Sequence, residues 1–105
     1  MVRHIILCTL RNDMTEQEKN ERALAIKKGL ESLAGRIPGL LSIKVVASGK
    51  LPTSNADVML DSSFTDFDAL KGYAVHPDHV AVADGIVRPY TASRTCLDYE
   101  SDALS

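Results

Sequence analysis

From Ile5 to Cys8 the chain is continuously bulky and apolar, so Val2–Leu10 reads as a buried strand. Arg11-Asn12-Asp13 is polar and turn-forming. Thr15-x-x-Glu18 has the form of a capping box, in which each residue's side chain satisfies the other's backbone N–H. Ala23, Ile26, Leu30 and Leu33 then recur at helical spacing, which predicts a helix to about Ala34 with that stripe buried. Gly35 suits a C-cap, and Ile37-Pro38-Gly39 a turn. Beyond it the period falls to two. Leu41, Ile43, Val45 and Ala47 alternate with Ser42, Lys44 and Ser48, predicting a strand over about Leu40–Ser48. A polar loop, Gly49–Asn55, leads to a third strand, Asp57–Phe64, with Val58, Leu60, Ser62 and Phe64 on one side.

Thr65-x-x-Asp68 opens a short helix whose apolar stripe is Phe67, Leu70 and Tyr73. Pro77 is disfavoured inside a helix, welcome in a first turn, and pushes the residue before it to an extended conformation. One helix therefore ends at Tyr73–Val75 and another starts at Pro77. The second runs to about Val87, with Val80, Ala83 and Val87 along one side, and Pro89 ends it. Ala92–Tyr99 reads as a fourth strand and Glu100–Ser105 as a frayed tail. The order β-α-β-β-α(α)-β is the ferredoxin-like α+β arrangement, a four-stranded antiparallel sheet with helices on one face. The other face stays uncovered. With Ile6 and Cys8 toward the helices, Ile5 and Leu7 form an outward apolar patch. A second copy of the same face is the expected cover, giving a homodimer.

Bulk properties narrow the partners. The 105 residues make one domain, 1–105, with 45% hydrophobic and 25% charged residues, ordinary values for a soluble globular chain. A net charge of −2 provides no basic field for nucleic acid. No apolar run approaches the about 20 residues of a membrane span, and the N-terminus lacks a signal peptide's length and cleavage site. A cytoplasmic location follows, with Cys8 and Cys96 reduced and buried as small hydrophobes.

The chemistry concentrates in Tyr73-Ala74-Val75-His76-Pro77-Asp78-His79, with His4 near the start. His and Tyr are the side chains most used to move protons. His79 falls in the first turn of the helix that Pro77 begins, where partial positive charge favours the neutral imidazole, while Asp78 pulls the other way. The alternative is structural, with Tyr73 a core ring whose hydroxyl clasps His79. His76 orders the turn. Alternation places His4 on the helix-facing side with Ile6 and Cys8. Three histidines suggest zinc, but His76 and His79 straddle a proline. With no Cys or carboxylate at helical ligand spacing and no metal-type cysteine spacing, no metal and no cofactor is expected. Arg94 alternates with Cys96 and Asp98 on the last strand. It suits an anionic substrate group, although a surface ion pair is the commoner use of such a residue.

The opening Val2-Arg3-His4-Ile5-Ile6-Leu7, the Ile37-Pro38-Gly39 turn, the Tyr73-x-x-His76-Pro77-x-His79 run and the closing Asp98-Tyr99 resemble the stress-responsive dimeric α/β-barrel (Dabb) family. The markers occur in the family's order and cover nearly the whole chain. The resemblance implies ferredoxin-like protomers packed sheet to sheet as a dimeric α/β barrel. One plant member is a polyketide cyclase in which a His–Tyr pair promotes an intramolecular aldol condensation. That implies catalytic roles for His79 and Tyr73, with His4 as a further pocket histidine and Ile6, Cys8, Leu60, Val82 and Ala83 as walls. With no Trp and 5% aromatic residues, little is available to stack on a long aromatic substrate. The function expected is thus proton transfer on a small carbonyl compound. A non-catalytic stress-related oligomer and, by fold analogy, a cofactor-free or heme-handling monooxygenase are the alternatives.

Overall fold

A computed structural model describes residues 1–101 of the chain. Strand β1 (Val2–Leu10), helix α1 (Glu16–Glu31), strands β2 (Leu40–Val46) and β3 (Val58–Phe64), helices α2 (Phe67–Val75) and α3 (Pro77–Val82) and strand β4 (Thr91–Glu100) follow in that order. A π-helical turn (Ala83–Val87) and a 3₁₀ turn (Arg88–Tyr90) link α3 to β4. The sheet is antiparallel with order β2-β3-β1-β4, the ferredoxin-like topology. Of the frayed tail expected over Glu100–Ser105, Glu100 instead ends β4, and residues from 102 on lie outside the described residues. No helix among the described residues is long and apolar enough to cross a membrane.

Helix α1 begins at the capping box. The Glu18 N–H donates to the Thr15 hydroxyl at 3.1 Å, and the Thr15 N–H to the Glu18 carboxylate at 3.2 Å. Its stripe, Ala23, Ile26 and Leu30, packs on the sheet with Leu33 from the turn that follows, all buried. The regular helix stops at Glu31, and a run of turns carries the chain on to β2.

Three local expectations are corrected. Leu41 is exposed, whereas Leu40, Ile43 and Val45 face inward. Leu40 pairs with Phe64 and Ser42 with Ser63, so Leu41 is an extra residue in a bulge that flips the alternation. The cap of α2 is Asp66, which accepts from the Ala69 N–H at 2.8 Å, and not Thr65. Phe67, first residue of that helix, is exposed beneath the Lys71 ammonium, while Leu70 and Tyr73 are buried.

The sheet's second face is uncovered in the protomer. Cross-strand rows there run Lys44–Asp61–Ile5–Leu97 and Val46–Met59–Leu7–Thr95. Leu7, Val46 and Leu97 are exposed on it, beside an Arg3–Asp61 ion pair.

The turn into β2 depends on Gly39. Its φ is +80°, and a Cβ there would collide with the Ala69 side chain. Gly39→Ala should therefore destabilise the protein by more than about 1 kcal/mol, because left-handed strain and the clash with α2 add. Chemical denaturation measures it, and an unchanged midpoint would mean that the turn relaxes freely.

Candidate functional site

Between the sheet and the helices lies a cavity of about 200 Å³. His4, Ile6 and Cys8 of β1, Leu60 of β3 and Arg94 of β4 contribute its sheet side. Tyr73, His79 and Ala83 contribute its helical side, with Ile26 and Leu30 of α1 behind. The cavity is thus largely apolar with a few polar groups, the usual make-up of a small-molecule site.

Tyr73 is held by ring packing. Its spacing from Leu70 points both inward, and it is 2% exposed. Its centroid lies 5.1 Å from that of Phe64 and 6.1 Å from that of His4, both edge-to-face. The His79 ring lies across it at 4.1 Å, tilted by 34°. The contact between Tyr73 and His79 is therefore ring to ring. The Tyr73 hydroxyl is buried and has no hydrogen-bond partner among the described residues. Leaving a buried donor unsatisfied costs about 1–3 kcal/mol. Burial also pushes the phenol's pKa up to about 12, so it stays protonated and remains a donor.

Pro77 sets the position of His79. His76 is extended at φ −64°, ψ 133°, and closes both helices. Its N–H donates to the Tyr73 carbonyl at 3.2 Å, and its ring Nδ1 accepts from the Asp78 N–H at 3.1 Å. The reversal brings His79 back over α2, with Nδ1 at 3.3 Å from the Ala74 carbonyl oxygen. A carbonyl only accepts, so Nδ1 carries the proton and Nε2 the lone pair of the neutral ring. Burial pulls the imidazole's pKa below 6.5, opposed by the Ala74 bond and assisted by the charges of Arg88 and Arg94. Burial, rather than the helix start, is the main reason the ring is neutral. Asp78 pairs with Arg36 at 3.4 Å.

His4 is buried on β1 and bonds through Nδ1 to the Asp98 carboxylate. Ile6, Cys8, Leu60 and Ala83 line the cavity. Val82 does not: it turns toward α1, where a Cβ on Gly29 would meet it at 3.2 Å. Cys8 is buried, but Cys96 is exposed, because β4 is an edge strand. Partial burial and the Asp98 carboxylate push the Cys96 thiol's pKa up. Arg94 makes no ion pair among the described residues, whereas Arg88 pairs with Asp84. Ala74, Arg88 and Thr91 also line the cavity, and no sequence motif marks them.

The chain matches the family described as the stress responsive A/B barrel domain over residues 2–101. No curated protein matches it. A dimeric protein of unknown function and ferredoxin-like fold from Bacteroides fragilis is 35% identical, with 94% of each chain covered and a TM-score of 0.86. A dimeric ferredoxin-like protein of unknown function from Thermobifida fusca is 26% identical over 93% of this chain and 88% of that one, at TM-score 0.75. A hydroxynitrile lyase from Passiflora edulis, 15% identical over 93% and 90% of the chains at TM-score 0.68, shares the fold.

The environment of His79 fixes the sign of its titration. The unfolded ring takes up a proton near 6.5, and the folded ring resists it. Its contribution to stability is therefore full above 6.5 and is lost as the pH falls below that value. An NMR titration of the imidazole nitrogens should give His79 a pKa below 6.5. A value at or above 6.5 would contradict the half-buried, neutral ring.

Proposed function

The chain belongs to the stress-responsive A/B barrel domain family, and on that premise we propose that it is a cytoplasmic homodimer whose cavity moves protons on a small carbonyl compound. The observation that carries this reading is Tyr73, a cavity-lining residue whose buried hydroxyl has no partner among the described residues and whose ring packs on the neutral imidazole of His79. A carbonyl oxygen of a bound substrate would supply the missing partner. His79 Nε2 takes a proton from the carbon next to that carbonyl. Negative charge then develops on the oxygen, and the Tyr73 hydroxyl stabilises it by hydrogen bonding in an apolar surrounding. Proton return from the imidazolium completes the cycle, and in an aldol condensation the carbanion first attacks a second carbonyl. His4, tied to Asp98, serves as a fixed polar wall. The small cavity favours a compact substrate over an extended aromatic one. Arg94, lining the cavity without a carboxylate of its own, suits an anionic group on that substrate.

The dimer is proposed to form through the open sheet face. Ile5 and Leu7 lie at its centre, and the similar proteins from B. fragilis and T. fusca are described as dimeric. Packing two such faces together buries the exposed Leu7, Val46 and Leu97.

His79→Ala should lower the rate by about 10²-fold or more with the fold intact, since positioned acid–base catalysis is worth about 10²–10⁴. Tyr73→Phe should lower the rate while leaving stability equal or higher, because it removes a buried donor with no partner among the described residues. Assays on enolisable diketones and keto acids test this, and full activity in both variants would move the chemistry elsewhere. Leu7→Lys should give monomer or aggregate in sedimentation, because an unpaired charge is costly to bury. A wild-type protein that sediments as a monomer at micromolar concentration would remove the dimer.

A further inference from the structure

One cluster of ligating atoms has no part in the proposed proton transfer. His4 Nδ1, the Cys96 sulfur and an Asp98 carboxylate oxygen lie within 4.8 Å of one another. The antiparallel pairing of β1 and β4 sets His4 opposite Asp98, and Cys96, two residues back, shares its face. The Cys96 Sγ is 3.8 Å from His4 Nδ1 and 3.4 Å from Asp98 Oδ1.

These three groups do not form a nucleophile–histidine–carboxylate relay. Such a relay needs the nucleophile and the carboxylate on opposite ring nitrogens. Here both address Nδ1, and Nε2 stands outside the cluster. A sulfur, a nitrogen and an oxygen this close together are instead a candidate ligand set. We infer that His4, Cys96 and Asp98 bind a single divalent cation of the zinc class at the β1–β4 edge, beside the cavity wall. Thiolate, imidazole and carboxylate all ligate zinc, at about 2.0–2.3 Å. Donors around a tetrahedral centre of that size stand roughly 3.3–3.8 Å apart. Both edges to the Cys96 sulfur, 3.8 and 3.4 Å, are in this range. The third edge is the His4–Asp98 hydrogen bond, which must widen on metal binding through rotation of the exposed Asp98 carboxylate. Sulfur and nitrogen donors suit zinc and disfavour calcium and magnesium, which take oxygen.

Binding releases the thiol proton to solvent, and the thiolate and carboxylate charges then balance the cation. Three protein ligands leave a fourth position, which water reaches because Cys96 and Asp98 are exposed. The inference stands apart from the Tyr73–His79 reading and survives its failure.

Cobalt(II), added to the reduced full chain, tests it without an activity assay. The expected result is one equivalent bound per chain, with a thiolate-to-cobalt charge-transfer band. Cys96→Ser should abolish that band, and Cys8→Ser should keep it. Asp98→Asn should weaken zinc at least tenfold in competition with a chromophoric chelator. No band in the wild-type protein, a band that persists in Cys96→Ser, or unchanged zinc affinity in Asp98→Asn would overturn the site. Circular dichroism of each variant separates loss of ligands from loss of fold.

Discussion

Tyr73 packs its ring among Phe64, His4 and His79, with centroids 5.1, 6.1 and 4.1 Å away. That packing joins the β1–β3 pair of the sheet to both ends of the α2–α3 break, and most of the site depends on it. Ring burial secures the tyrosine, so the fold does not need its hydroxyl bonded. Separating the packing part of the side chain from the polar part is what leaves a donor with no partner among the described residues on a cavity-lining side chain. A core built only for stability would have put Phe there, since an unsatisfied buried hydroxyl is a net cost.

The break at Pro77 supplies the second constraint. The proline's Cδ clashes with the backbone of the residue before it and forces His76 to extend, and His76 is then consumed by capping the next helix. The histidine left over, His79, is the one returned to the cavity with Nδ1 committed to Ala74. One backbone carbonyl thus selects the tautomer, and burial keeps the ring neutral. Two histidines three residues apart acquire different jobs from backbone geometry alone.

Much of the architecture was legible because it rests on local signals. The capping box, the stripe on α1 and the period-two pattern of β3 each carry their own evidence. The errors have local causes as well. A one-residue bulge inverts the alternation at Leu41, and the sequence on either side of it reads as an ordinary strand. Asp66 outcompetes Thr65 as a cap one position away, and Phe67, first in its helix, faces outward. At the site, the Tyr73-to-His79 run was legible because both residues sit on one short segment. The His4–Cys96–Asp98 cluster was not. His4 stands over 90 residues from Cys96 and Asp98 in sequence and meets them only through the β1–β4 register, and alternation on β4 aligns Cys96 with Asp98 without saying what stands opposite. Cys96 was expected to be buried because nothing in its neighbours announces an edge strand.

The proposed chemistry requires the Tyr73 hydroxyl to receive its partner from a ligand next to His79. The most direct test is a crystal structure of the protein with pentane-2,4-dione, a small diketone that enolises readily. A diketone oxygen should lie within hydrogen-bonding distance of the Tyr73 hydroxyl, with the central carbon facing His79 Nε2. A diketone bound elsewhere, or a Tyr73 hydroxyl bonded to a protein group in a closed cavity, would contradict that chemistry.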